Sequence, residues 1–337
     1  MGDDSKTVEV SPTGDIILVV GSPDEKQLRL RVLSIILRSA SKVFDRMFSP
    51  GWIESSRTFS PESPINIDLP EDDPDSMKTI CYALHHRNDM IPFADMDGKH
   101  ILQAVRVIDK YDMGTAMQLV TERWFRQVTF HRSSTDLMYL VAAAELLKRN
   151  EFFPKLTWLV MISHTGSYLS FYGDNLLMET LPPALLTIFS ERSSYLRMRL
   201  LAAVQKIVTT KRDCVSNCGA NEYLNEISKA FVGKFDCPSG QNHSILEMIK
   251  ALQTIANLEM AFQRGNCRTT TGVGYNNTTV HHRQTLPSSE LICYKLPGWT
   301  ELQTSVCLEC LLSGSLAEGT CEHERVNGFA QLDGQFL

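Results

Sequence analysis

The sequence predicts an α+β fold at its N-terminal end, followed by an all-α extension and an irregular, Cys-rich tail. Three observations carry that reading. From Leu28 to Ser49 the apolar rhythm switches period: Leu28, Leu30 and Val32 alternate with Arg29 and Arg31, then Leu33, Ile36, Leu37, Ala40, Phe44 and Met47 recur at helical spacing. Residues 132–262 keep the helical period with little strand pattern. Of the nine cysteines, only Cys81 precedes residue 214.

In chain order, residues 1–13 are polar and are expected to be flexible. The apolar run Asp15 to Val20 is short enough for a strand, and Gly21-Ser22-Pro23-Asp24 supplies turn residues. Leu28 to Val32 is then its hairpin partner. Two helices follow, divided near Ser39 and Ser41, either of which can cap a new start. Pro50 to Pro64 reads as a loop, and Ile65 to Leu69 alternates again as a third strand. Asp73 is placed as an N-cap with Pro74 at the first helical position, and Met77, Ile80, Cys81 and Leu84 form that helix's stripe. A helix with Ile101, Leu102, Val105 and Ile108 ends at Asp109-Lys110-Tyr111, and another is expected from Met113 to about Val128.

Farther along, Leu137, Leu140, Val141, Ala144 and Leu147 make one stripe. Pro182-Pro183 must end or restart a helix. Leu196, Leu200, Val204 and Ile207 make the next stripe, with Lys211 and Arg212 at its C-terminal end. Ile245, Met248, Ile249, Leu252, Ile255 and Leu258 make the last.

The bulk numbers exclude several classes. A chain of 337 residues with 43% hydrophobic and 21% charged residues has material for two or three cores. A net charge of −6 disfavours phosphate tracking and anionic lipid, so neither a nucleic-acid binder nor a membrane-surface binder is expected. The polar start Met1-Gly-Asp-Asp-Ser-Lys6 lacks a signal-peptide core, and Lys6 spoils a myristoylation motif. The expected location is the cytoplasm, the nucleus or both. In either, cysteines are thiols or metal ligands and not a disulfide framework.

Residues 14–128 resemble a BTB/POZ domain of the divergent type common in filamentous fungi. The residues that carry the resemblance are Gly14 to Gly21, Val32-Leu-Ser-Ile-Ile-Leu-Arg-Ser-Ala-Ser41, Val43-Phe44 and Met47-Phe48. Trp52-Ile-Glu54, Ile67-Asp-Leu-Pro-Glu-Asp-Asp-Pro74, Leu84-His-His86 and Asp109-Lys-Tyr111 complete the set. The match covers about a third of the chain, and its specificity lies in order and spacing. One departure is Leu33, where many members carry His; the swap is expected to preserve burial and is read as a packing variant. The resemblance further implies a helical extension at 132–262, ahead of the Cys-rich region 263–337.

Two places could carry function. The first is Cys307-x2-Cys310 with Cys321-x-His323, because a tight C-x2-C turn aims two thiolates at one tetrahedral zinc. Cys214-x3-Cys218 is a second pair. The resemblance implies that an early Cys pair and a late Cys/His pair close one site, which would pin the tail to the helices. One structural zinc is the cofactor expectation, weighed against several unligated thiols. The second place is Phe93-Ala-Asp95, which matches the hydrophobic-x-acidic element that the resemblance implies for contact with a cullin scaffold, with Asp where Glu is usual. The competing reading folds Phe93 back onto the core after Pro92.

His85 and His86 are adjacent on a helix and point about 100° apart, so one packs and the other is solvated. No phosphate loop, zinc-protease helix or nucleophile elbow is present in the sequence.

The functional expectation is a non-catalytic protein-interaction module, in its sharper form a substrate adaptor for a cullin-type ubiquitin ligase. One alternative is a self-associating scaffold or transcription-linked factor; another is a thiol or zinc enzyme centred on Cys307 and Cys310. Few residues precede Asp15, which leaves no room for the N-terminal elements that dimeric BTB proteins exchange. The expected state is a monomer or weak homodimer.

Overall fold

The structure is a computed structural model that describes residues 7–24, 26–49, 59–128, 132–209, 243–251, 306 and 308–313. The chain divides into two compact units, the first running through Leu156 and the second beginning at Thr157.

The first unit is α+β, with helices around a small mixed sheet of order β1-β3-β2-β4. Strands β2 (Ile16–Val20) and β3 (Leu28–Val32) are antiparallel, with Leu18 opposite Leu30 and Ile16 opposite Val32. Strand β4 (Ile65–Leu69) lies parallel to β2, with Leu18 opposite Ile67. Gly21 closes the hairpin at φ +90°, where a Cβ would overlap the Lys26 carbonyl and the Pro74 ring. Only glycine fits that turn.

The expectation of a flexible stretch through residue 13 needs correcting at its end. Val8–Glu9 form β1, parallel to β3, and Val10 is buried behind them. A two-residue strand is too short to show alternation, so its pairing decides it. The Val10 and Ser11 N–H groups both donate to the Arg31 carbonyl at 3.1 Å. The Arg31 guanidinium donates to the Gly14 carbonyl at 3.0 Å and the Pro61 carbonyl at 2.8 Å, so one side chain gathers three segments.

Helix α1 (Ser34–Ala40) starts on Leu33, which has no capping group. Two distant side chains supply the missing partners. Asp15 accepts from the Ser34 N–H at 2.7 Å and the Ser34 hydroxyl at 2.6 Å. His85 Nε2 accepts the Leu33 N–H at 3.0 Å, while its Nδ1 donates to the Cys81 carbonyl at 2.8 Å. These partners require the neutral ring, and burial lowers the His85 pKa in the same sense. His86 is exposed, with a left-handed φ of 60°; the pair divides into a packed and a solvated residue as expected, but not on a helix, because α3 ends at Leu84 and His85 is its C-cap.

Helix α2 (Lys42–Met47) is capped by Ser41, whose hydroxyl accepts from the Phe44 N–H at 3.0 Å. Helix α3 (Pro74–Leu84) is capped by Asp73 with Pro74 in its first turn, as expected. Helix α4 (Gly98–Lys110) follows Asp97, and α5 (Gln118–Arg126) begins later than the sequence suggests. The chain turns between Tyr111 and Met117, where Asp112 takes a left-handed φ of 50°. Met113 and Met117 are still buried, and that kept the helical rhythm intact across a non-helical turn.

A polar network holds the centre of this unit. The Tyr111 hydroxyl donates to Asp72 at 2.5 Å, and Lys110 pairs with the other Asp72 oxygen at 2.7 Å. The Ser41 hydroxyl donates to the Tyr111 carbonyl at 2.5 Å. The Phe44 ring lies on the Tyr111 ring, centroids 4.4 Å apart and planes within 1°. Burial, then the Asp72 carboxylate, pushes the Tyr111 phenol far above its ordinary range.

Helix α6 (Ser134–Leu146) packs along α4. Leu137 to Glu145 are all buried, not one stripe alone, so the helix is enclosed.

Helix α7 (Phe153–Ser163) leads into the second unit, which is helical among the described residues. A 3-10 turn spans Tyr168–Gly173, and α8 (Asn175–Thr180) stops before Pro182-Pro183. Helix α9 (Ala184–Thr209) restarts after them, as the two prolines require. Leu196 and Leu200 are buried on it, as are Ile245, Met248 and Ile249 on the helical segment 245–251. The Tyr168 hydroxyl pairs with Ser193 at 2.8 Å, and burial pushes its pKa up to about 12. The Val306 N–H donates to the Thr157 hydroxyl at 3.1 Å, just before the short helix Leu308–Ser313. Among the described residues, no helix is long and apolar enough to cross a membrane. The expected helix end at Lys211 and Arg212, and the stripe from Leu252 onward, lie outside the described residues.

Candidate interaction surface

The segment between α3 and α4 is built from tight local turns. A 3-10 turn covers Asn88–Met90, Phe93 N–H donates to the Ile91 carbonyl at 2.8 Å, and Asp95 N–H donates to the Pro92 carbonyl at 3.0 Å. Ile91 and Met96 are buried and anchor the segment, while Ala94 and Asp95 between them are exposed.

Phe93 fits neither of its two sequence readings completely. It is half-buried, and the Arg123 guanidinium of α5 lies over its ring face, 4.2 Å from the centroid. Such a stack contributes about 0.5–1 kcal/mol at an exposed site and fixes the ring's direction. Leu119 stands one helical turn before Arg123 on the same face and is 80% exposed. Met90 is also exposed. An aromatic ring, a leucine and a guanidinium, with exposed Asp89 and Asp95 on the neighbouring segment, can anchor a protein partner.

Leu119 and Arg123 are absent from the sequence-derived candidates. An isolated leucine in a helical rhythm reads as core, and only its exposure reveals it. Arg123 gives no local signal, because its partner Phe93 is distant in the chain.

The metal candidates are separated by what is described. Cys310 is buried on Leu308–Ser313. Cys307, Cys321, His323, Cys214 and Cys218 lie outside the described residues. Among the described residues, no three Cys, His, Asp or Glu side chains are grouped to hold a metal ion. Cys81 is buried on α3, and burial pushes its thiol up to about 12, which keeps it protonated and inert.

Comparison with protein-family profiles finds no family that matches this chain. Comparison with curated proteins likewise finds no match.

Proposed function

We propose that this chain is a non-catalytic protein-interaction module, a BTB/POZ-type domain with a helical extension, that acts as a substrate adaptor for a cullin-type ubiquitin ligase. The observation that carries the reading is the surface on which Phe93 lies half-buried beneath Arg123 and Leu119 is 80% exposed on the same helix face. The residues that carry the resemblance fall in order on a hairpin, a helix pair, a third strand and a helix, which supports the reading. Binding of purified cullin scaffold to the full chain tests it. Phe93→Ala is expected to weaken binding about tenfold, the effect of losing a central aromatic anchor. No detectable binding by the wild-type chain overturns the adaptor reading.

A structural zinc is a second part of the proposal, held by four of Cys214, Cys218, Cys307, Cys310, Cys321 and His323. The support for it is the C-x2-C spacing of Cys307 and Cys310, which aims two sulfurs at one tetrahedral ion. Elemental analysis of the purified chain is expected to find one zinc per molecule. A metal-free chain with a redox-active dithiol would instead favour the thiol enzyme.

A further inference from the structure

We propose that α6 controls the shape of the Phe93 surface, with Asp136 as its positioning residue and Arg132 as the link to the loop. This rests on the interaction surface proposed above and adds a means of regulating it from α6, within the same compact unit.

The geometry is a two-way clamp. Arg132 Nη2 donates to the Met96 carbonyl at 3.0 Å, and its Nη1 pairs with Asp136 Oδ2 at 2.6 Å. The other oxygen, Asp136 Oδ1, accepts the Gly98 N–H. Gly98 is the first residue of α4, so the carboxylate sits where exposed N–H groups and the helix dipole favour negative charge. Asp97 already occupies its own capping position by accepting from the His100 N–H at 2.8 Å. The α4 start therefore has two caps, a local one and one borrowed from α6.

Close approach is required for this. A Cβ on Gly98 would overlap the Asp136 backbone carbonyl, so the contact depends on glycine at that position. The Arg132 and Asp136 side chains are only 18% and 15% exposed, which shields their ion pair from solvent more than a surface pair. On α6 itself, the Ser133 hydroxyl caps the Asp136 N–H at 3.1 Å, which fixes the residue's backbone.

The consequence falls on the presenting loop. Between Asn88 and Asp95 its backbone bonds are local turns, which set curvature but not direction. The Phe93 ring is set by the Arg123 stack and the segment by buried Ile91 and Met96, and its C-terminal end at Met96 and Gly98 is held further by Asp136 of α6 and by Arg132 just before that helix. A change in α6 would then re-aim Phe93 and Asp95 without touching either.

Two measurements on the full chain test this. In Asp136→Ala, amide exchange at Met96 to Gly98 is expected to rise about tenfold, the equivalent of one lost hydrogen bond. The β2 and β3 amides are expected to exchange at the wild-type rate. Unchanged exchange at Gly98, or a matching rise across the sheet, overturns the inference; neither depends on any partner. The second measurement is cullin-scaffold affinity for Phe93→Ala, Asp136→Ala and the double variant. If Asp136 acts by aiming Phe93 and Asp95, the double variant loses less than the sum of the two single losses. Additive losses overturn the positioning role. Absence of wild-type binding would sink the adaptor reading and leave the exchange result to decide the clamp.

Discussion

Truncating Phe44 to alanine is expected to destabilise the first unit by about 3–5 kcal/mol, the range for a fully buried phenylalanine. Phe44 is completely buried on α2 and stacks with both Tyr111 and Phe48. Phe48 meets half-buried Phe59 edge-on at 5.6 Å, so the three buried rings continue to a fourth at the edge of the core. The loss has two sources: a cavity lined by stiff rings that cannot collapse, and two ring–ring contacts of about 0.5–1.5 kcal/mol each. Phe44→Leu keeps most of the volume and loses the stacking, so it is expected to cost about 1–2 kcal/mol. Amide protection in β2 and β3 under native conditions reports the stability of this unit separately from the second. A Phe44→Ala protein with wild-type protection there would mean that the rings are not the core.

The local signals of this fold were readable because each is complete within a few residues. Asp73-Pro74 is a cap and a first turn, Ser41 is a cap, and Pro182-Pro183 is a break; all three act where the sequence places them. The hairpin was legible because Gly21 sits between two runs of matching apolar character. What escaped has partners far away in the chain. Strand β1 is defined by its pairing with β3, and the α1 start by Asp15 and His85. Likewise the parallel pairing of β4 with β2 leaves no trace in either strand's own alternation.

The candidate surface divides along the same line. Phe93 and Asp95 were visible as a short pattern, whereas Arg123, Leu119, Arg132 and Asp136 were not. Arg132 and Asp136 are spaced i, i+4 and would be read as an ordinary surface pair on a helix. Their second bonds, to Met96 and Gly98, turn that pair into a clamp, and helical periodicity cannot encode a contact across two elements.

Asp72→Ala is expected to cost about 1–4 kcal/mol, although in the sequence Glu71, Asp72 and Asp73 look alike as acids of the turn before α3. Asp73 caps α3 and faces outward to the helix start, but the Asp72 side chain is only 3% exposed and points into the unit. Its removal leaves the buried Tyr111 hydroxyl without its acceptor, a penalty of about 1–3 kcal/mol. The lost pairing with Lys110 adds less, about 0–1 kcal/mol, because that lysine is 46% exposed and water screens and resolvates its ammonium. Tyr111→Phe removes the donor and leaves Asp72 its lysine, so about 1–2 kcal/mol is expected. Since both changes break the same bond, the double variant should fall short of the sum by about 1 kcal/mol or more. The network also reaches α2, because the Tyr111 carbonyl accepts from Ser41, whose hydroxyl caps Phe44. Loss of Asp72 should therefore speed amide exchange at Phe44 as well as at the α3 start. An Asp72→Ala variant within 0.5 kcal/mol of wild type, with Phe44 still protected, would show that the turn acids act through the α3 cap alone.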